Sequence, residues 1–369
     1  MRLRVCSIVL SLSATLLAQA PVPVETAMPA RPNVTLLMSA TDSSGNPITD
    51  LSKEQITVID NGQSTPVSAL RRVSGAPLHL AIVLYASKGY FAQEQAAAAA
   101  LVQKVIRPNV DAAFVLTAGG SKPWPTPQIN WQTDPNELAK TIQSLDKDAG
   151  IRDAFNFEIS DDNGTGSRLW RAAVQRDTGP DIFDAVWAMM KSDPRPARRA
   201  LVIFREPWAN SPGGDKPSID YVSGKLAAII RNAQELKVPI FSIGIEDVAL
   251  MPSQDKNFGK VYAPVHSGGG ASLRSYDIDT QKYRYGLYEG GKSNIETLSA
   301  STGGRAFWDV KKNYPDAVNN IARAFDAQYI FTFAAMAEGP TTPAHSVKLV
   351  SGRSGLQVDV PAAYVLAGK

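Results

Sequence analysis

The chain of 369 residues has a single cysteine, Cys6, and three histidines, His79, His266 and His345. Cys6 falls in an N-terminal segment with the pattern of an export leader. The mature chain would then hold no thiol, which excludes disulfides, thiolate zinc sites, iron–sulfur clusters and cysteine nucleophiles together. The histidines are isolated, and none has Cys, His or Glu at metal-ligand spacing. A Gly-x-Ser-x-Gly elbow is missing, so a Ser–His–Asp hydrolase has no starting point. Charge of one sign is missing too. Lys and Arg total 38 against 35 Asp and Glu, or 36 against 35 without Arg2 and Arg4. That balance gives no polyelectrolyte footprint for nucleic acid. No apolar run reaches the ~20 residues of a membrane span. At 44% apolar and 20% charged residues, the composition is that of a globular protein, not of a disordered chain, collagen or coiled coil.

Residues 1–20 read MRLRVCSIVLSLSATLLAQA. Arg2 and Arg4 precede an apolar run from Val5 to Leu17, and Ala18-Gln19-Ala20 offers small residues for a signal peptidase, although Pro21 would follow the cut. The expectation is a signal peptide over 1–20 and a protein in the periplasm, at the cell surface or secreted. Pro21, Pro23, Pro29 and Pro32 make residues 21–33 a linker.

A prior of ~150 residues per domain suggests two domains, or one large one with a satellite. From residue 34 to 75 the text is short strands with turn punctuation: VTLLMSAT (34–41), the turn Asp42-Ser-Ser-Gly-Asn-Pro47, then Gln55–Ile59 before Asp60-Asn61-Gly62. After Ala76 the grammar changes. LHLAIVLYA (78–86) is a continuous apolar run, the mark of a strand buried on both faces. Helical stretches at 91–106, 134–145, 182–191, 218–236 and 295–301 then alternate with strands at 111–118, 200–204, 239–245 and 305–310. Alternation of that kind demands a mostly parallel sheet with helices on both faces. A last helix, 315–327, is followed by strands alone: YIFTFAAM (329–336), HSVKLV (345–350) and LQVDV (356–360). Neither flank is large enough for its own core. The expected architecture is therefore an α/β unit over 76–327 inserted in a small β-sandwich built from 34–75 and 328–369.

The order of elements from 78 to 327 resembles a von Willebrand factor type A domain, and the flanks resemble the exported VWFA-related proteins of acidobacteria. The quotable motifs are Asp42-x-x-Gly-x-Pro-Ile-x-Asp-Leu51, Ile56-Thr-Val-Ile-Asp-Asn-Gly62, Pro77-Leu-x-Leu-Ala-Ile-Val-Leu84, Asp181-Ile-Phe-Asp-Ala-Val186, Arg199-Ala-Leu-Val-Ile203, Leu298-x-x-x-Thr302-Gly-Gly304 and Gln328-Tyr-Ile-Phe-Thr332. The resemblance implies a Rossmann-like α/β fold with a ligand edge at the C-terminal ends of the strands. It also implies a metal-ion-dependent adhesion site there, built from an Asp-x-Ser-x-Ser loop, a distant Thr and a distant Asp. Hard cations such as magnesium want about six oxygen ligands. This sequence departs from that set at most positions. Tyr85 stands for the Asp, Ser87 keeps the first Ser, Gly89 replaces the second, Pro180 replaces the Thr, and Glu206 stands for the distal Asp. Lys88 and Arg205 add like charge against a cation. The expectation is a degenerate, metal-free site, with Asp181 and Thr178 as the residues that could rebuild one for Mg or Mn.

Gly286-Leu-Tyr-Glu-Gly-Gly-Lys292-Ser293 satisfies the P-loop spacing. However, the preceding residues 276–285 are polar and do not read as the buried strand that such a loop needs, so Ser293 reads as a helix cap. Asp161-Asp-Asn-Gly-Thr-Gly166 reads as a solvated turn, since a calcium loop needs a downstream bidentate Glu. More informative are the 49 residues of 246–294, which show no regular element and carry Tyr262, Tyr276, Tyr283, Tyr285 and Tyr288 among Arg and Lys. Tyr and Arg are the residues enriched at interface hot spots. Tyr283, Arg284 and Tyr285, with Trp208 on a neighbouring loop, are the candidate partner contacts. The functional expectation is an exported, non-enzymatic protein-binding module without cofactor. The alternatives are a metal-dependent adhesin with remodelled ligands, and a nucleotide-binding enzyme using Lys292, Ser293 and Glu206.

Overall fold

The structure is a computed structural model that describes residues 31–85, 91–118, 129–146, 182–205, 216–244, 292–308, 314–336 and 344–365. The expected leader lies outside the described residues. Three strands open the described chain: β1 (Asn33–Thr41), β2 (Ile56–Asp60) and β3 (Gln63–Arg72). The α/β region follows. Its strands are β4 (Leu78–Tyr85), β5 (Ala112–Ala118), β6 (Ile129–Gln132), β7 (Arg198–Arg205), β8 (Ile240–Gly244) and β9 (Ala306–Phe307). Its helices are α1 (Phe91–Val105), α2 (Pro135–Gln143), α3 (Ile182–Ser192), α4 (Lys216–Leu236), α5 (292–302) and α6 (Tyr314–Asp326). Four strands close it: β10 (Gln328–Ala334), β11 (Ala344–Ser351), β12 (Gln357–Asp359) and β13 (Ala363–Val365).

Strands β4–β9 form one sheet in the order β6-β5-β4-β7-β8-β9, parallel except for β6, which runs antiparallel to β5. Every residue of central strand β4 is buried, as its unbroken apolar run requires. Alternate side chains serve two cores. Leu78, Leu80, Ile82 and Leu84 share one with α1, α2 and α6, whereas Ala81, Val83 and Tyr85 share the other with α3, α4 and α5. The alanines of α1 have a purpose in this packing, since Ala97, Ala98 and Ala99 are buried and let the helix lie close to the sheet. Asp134 caps α2 as its sequence suggests, accepting from Asn136 N at 2.8 Å and Glu137 N at 3.3 Å.

The two flanks meet strand by strand in a seven-stranded antiparallel sheet, order β12-β1-β10-β3-β2-β11-β13. Strand β10 lies between β1 and β3, so N-terminal and C-terminal strands interleave. The expected pair of packed sheets is thus one curled sheet, bent at the register shift between Thr332 and Phe333. The curl encloses its own apolar core, with Met38, Val58, Phe331 and Phe333 inside it. Strands β2 and β3 form a hairpin whose two turn residues, Asn61 and Gly62, have φ of 48° and 81°. Positive φ at both positions is the primed turn that matches strand twist.

Helix α6 carries the chain from one sheet into the other. Ile321 and Phe325 pack on the parallel sheet, Phe325 edge-on to Phe241 at 5.3 Å. On its other side Arg323 reaches the Ser44 carbonyl at 3.5 Å. The two chain crossings between the sheets are clamped together by Arg198 at the start of β7. Its guanidinium donates to the carbonyls of Ala76 (3.1 Å) and Phe325 (2.6 Å) and to Gln328 Oε1 (2.8 Å). Burial pushes this guanidinium down to about 10, which leaves it charged at neutral pH. The neighbouring Asp111 carboxylate accepts from Leu78 N and from Arg107, whose own guanidinium also donates to the Gly75 and Ala76 carbonyls. The antiparallel sheet therefore joins at the N-terminal ends of the parallel strands.

Candidate functional site

Open α/β sheets bind ligands at the C-terminal ends of their strands, and here that edge lies opposite the joint with the antiparallel sheet. It is reached by β4 at Tyr85, β5 at Ala118, β7 at Arg205 and β8 at Gly244, and Trp308 follows β9. Tyr85 is 3% exposed and belongs to the buried cluster of Phe114, Leu116, Ile182, Phe183 and Val186. The end of the central strand, where the resemblance implies an anionic ligand, therefore carries an uncharged phenol packed as core. A phenol hydroxyl is not the carboxylate oxygen that a hard cation prefers. Ser87, Gly89, Pro180, Glu206, Trp208, Tyr283, Arg284 and Tyr285 lie outside the described residues, as do Lys88, Thr178, Asp181 and the calcium-like turn.

A second group sits where β8 and β9 end. Trp308 Nε1 donates to Glu296 Oε1 at 2.8 Å, and Lys292 Nζ lies 5.4 Å from the indole centroid. A cation over an indole face is held by the ring quadrupole. Gly244 is required beneath this ring, because a Cβ there would collide with Trp308. The ring also explains where the P-loop-like lysine goes, for Lys292 rests on Trp308. Residues 292 and 293 are already helical, so Ser293 lies within α5 instead of capping it from outside as expected. Thr302 fixes the far end of α5, accepting from Ile240 N at 3.0 Å, with Ser299 and Ser242 hydroxyls 3.1 Å apart. Gly304 is needed there because a Cβ would strike the Ile240 backbone.

Sequence reasoning passed over Glu94, fully buried in the first turn of α1. The signal was available. Glu94 falls three residues after Phe91 and three and four before Ala97 and Ala98, which is the inward face at helical period. An acidic group in a first helical turn is favoured by the helix dipole.

Two histidines are engaged elsewhere, each beside an aspartate. His79 Nδ1 lies 2.6 Å from Asp193 Oδ2, its ring 5.1 Å from Trp131, at the N-terminal edge of the parallel sheet. Burial pushes this imidazole below its ordinary value and Arg195 and Arg199 push the same way, against the pull of Asp193. Asp193 is itself held below the usual carboxylate range: burial raises it, but hydrogen bonds from Arg195 outweigh that. His345 Nδ1 lies 3.0 Å from Asp60 Oδ1 in the antiparallel sheet. Among the described residues no three His, Cys, Asp or Glu gather as a metal-ligand group. No described helix is long and apolar enough to cross a membrane.

The described chain is thus a mixed α/β protein, a largely parallel sheet covered by helices and joined to a curled antiparallel sheet. No protein-family model matches the sequence, and no match is found among curated proteins. Among solved structures the chain is similar to a von Willebrand factor type A protein from Catenulispora acidiphila, at 8% identity and a TM-score of 0.37 over 92% of this chain and 74% of that one. It is also similar to the PilB minor pilin of Streptococcus sanguinis, at 9% identity and a TM-score of 0.36, covering 70% of this chain and 63% of the pilin. A third likeness is to three N-terminal domains of the type V pili tip protein Mfa5 from Porphyromonas gingivalis, at 10% identity and a TM-score of 0.26, covering 91% of this chain and 66% of that one.

Proposed function

We propose that this chain is an exported, non-enzymatic protein-binding module whose recognition edge is the C-terminal end of the parallel sheet. Its affinity comes from aromatic and arginine side chains instead of a bound metal. The observation that carries the reading is Tyr85, which ends the central strand as a buried, uncharged core residue. A metal site at this edge needs an anionic oxygen there, and Gly89 and Pro180 would contribute no side-chain oxygen either. In this reading Ser87 and Glu206 are remnants of a ligand set, and Trp208, Tyr283, Arg284 and Tyr285 contact the partner. Long connections leaving strand ends at one edge are the usual carriers of recognition on a rigid scaffold, and in the sequence residues 206–215 follow β7 and residues 245–291 follow β8.

The test is capture by the mature protein from periplasmic and cell-surface extracts, compared with the double variant Tyr283→Ala, Tyr285→Ala. The expected result is a specific protein retained by the wild type and lost by the variant, with stability unchanged within ~0.5 kcal/mol, the range of exposed substitutions. A variant that keeps its partner and loses several kcal/mol would make the loop a lid instead. Capture that requires magnesium or manganese would favour a metal-dependent adhesin using Thr178 and Asp181.

A further inference from the structure

Natural sheets blunt their edges, because a row of unpaired backbone groups recruits another strand. Among the described residues most sheet edges obey that rule. The strands that end the two sheets, β6, β9, β12 and β13, have only two to four residues. In β11 the Val347 amide is taken by the Ala362 carbonyl, and the rest of that edge lies between Lys348 and Arg353.

Strand β1 is different. From Asn33 to Ser39 it pairs with β10 on one side, but on the other, among the described residues, it meets β12 only over Ser39–Thr41. Strand β12 cannot extend the cover, since Pro361 follows it and Ala362 N turns away to the Ala300 carbonyl. The Ala40 amide bonds to the Ala327 carbonyl on the β10 side. Backbone alternation then turns the amides and carbonyls of Asn33, Thr35 and Leu37 outward. The open stretch, Asn-Val-Thr-Leu-Leu-Met over 33–38, contains no charge, proline or glycine.

We infer that the open edge of β1 pairs with β1 of a second copy of this chain, antiparallel about a two-fold axis at Thr35. The outward backbone row dictates an extended occupant. A second copy brings one already ordered, so the entropy of ordering a free peptide is not spent. Centred on Thr35, the register sets Thr35 opposite its own equivalent and Asn33 opposite Leu37. No like charges then face each other, and a Thr–Thr pair is among the favourable cross-strand pairs. The contact is isologous and closes as a dimer, so the remaining edges stay unextended. Because the antiparallel sheet joins at the N-terminal ends of the parallel strands, pairing through β1 leaves both C-terminal edges uncovered. The dimer would present that edge twice.

The test is the mass of the mature protein in solution, followed by light scattering from micromolar to millimolar concentration. The wild type should shift from one chain to two as concentration rises. Thr35→Lys and Thr35→Glu should each stay at one chain, with circular dichroism unchanged, because like charges then meet at the axis. An equimolar mixture of the two variants should return to two chains. Hydrogen exchange keeps the test independent of the variants: the Thr35 and Leu37 amides should gain protection with concentration, while the Val34 and Leu36 amides, bonded to β10, stay protected throughout. A wild type that remains one chain at millimolar concentration overturns the inference. So does a dimer indifferent to Thr35→Lys, or Thr35 and Leu37 amides that exchange equally fast at every concentration.

Discussion

The hydroxyl of Tyr364 donates to Asp60 Oδ2 at 2.9 Å, across 304 positions of sequence. Asp60 ends β2, and Tyr364 sits in β13, the last described strand. The same carboxylate accepts from Met336 N at 2.7 Å and faces His345 Nδ1 at 3.0 Å. One buried aspartate thus ties together the hairpin of the N-terminal flank, the exit from β10, the start of β11 and the C-terminal strand. Burial and the Asp60 charge push the Tyr364 phenol far above its ordinary value, so it remains a donor at any physiological pH.

Removing that carboxylate should be costly. Asp60→Ala would strand the Met336 amide and leave the Tyr364 phenol and His345 Nδ1, 3.1 Å apart, with only each other beside Phe333. Each buried donor left unpaired costs ~1–3 kcal/mol. The expected loss is about 3 kcal/mol or more in urea unfolding. Tyr364→Phe removes one donor and leaves Asp60 with its other partners, so it should cost only about 1 kcal/mol. Equal losses from the two variants would mean that Asp60 is not the hub.

Arg198 should couple the two sheets. All six tryptophans lie between Trp124 and Trp308, so indole fluorescence reports on the α/β region alone. In the wild type, fluorescence and circular dichroism should give coincident denaturation curves, the signature of one cooperative unit. Arg198→Met would leave the Ala76 and Phe325 carbonyls and Gln328 Oε1 without this donor. The loss should be about 2–4 kcal/mol, and the two curves should separate. Arg198→Lys should recover less than half, because a single ammonium cannot span acceptors arranged for a planar fork.

The sequence makes legible what periodicity carries. The apolar run of β4, the Asp134 cap of α2 and the long helix ending at Leu236 all stand within a few residues of expectation. Strand β3 was passed over because its text, QSTPVSALRR, is polar and contains Pro66, although Asn61-Gly62 announces a hairpin. Strands β6 and β13 have only four and three residues and leave too few positions for a pattern. The interleaving of β10 between β1 and β3 was not legible either, since pairing order depends on partners nearly 300 residues apart. The same separation hides the Asp60 and Arg198 hubs. Of the metal-site and partner-contact positions named from sequence, only Tyr85 is among the described residues.

Acidification should weaken the fold in two stages with opposite-signed groups. His79 is held neutral by burial, so the unfolded chain takes up a proton near the ordinary value of ~6.5 before the folded chain does. Stability then falls as pH drops through that value toward the lower folded one. Asp111 and Asp193 are held below the usual carboxylate range, and their contribution is lost only on further descent, below ~4. His79→Gln should flatten the upper stage of a plot of unfolding free energy against pH and leave the lower one. A His79→Gln protein with the wild-type slope between pH 7 and 5 would remove His79 as its source.

The metal reading and the metal-free reading separate most sharply at Tyr85. Its ring fills a place in the core beside α3, so Tyr85→Asp should act first as a packing lesion. Replacing a large buried aromatic by a small residue costs ~3–5 kcal/mol, and a carboxylate in that cavity adds desolvation. If the edge retains a usable ligand set, the new carboxylate completes it, and magnesium should restore part of the loss. Saturation at 100 times the dissociation constant would return about 2.7 kcal/mol. If Gly89 and Pro180 have dismantled the set, the cation finds too few oxygens and restores nothing. The expected outcome is a destabilised Tyr85→Asp whose melting temperature is the same with millimolar magnesium, manganese or chelator, and a wild type equally indifferent to all three. Tyr85→Ala, which makes the same cavity without the charge, calibrates the packing loss. Magnesium rescue of Tyr85→Asp but not of Tyr85→Ala would show that the metal site needs only one residue to return.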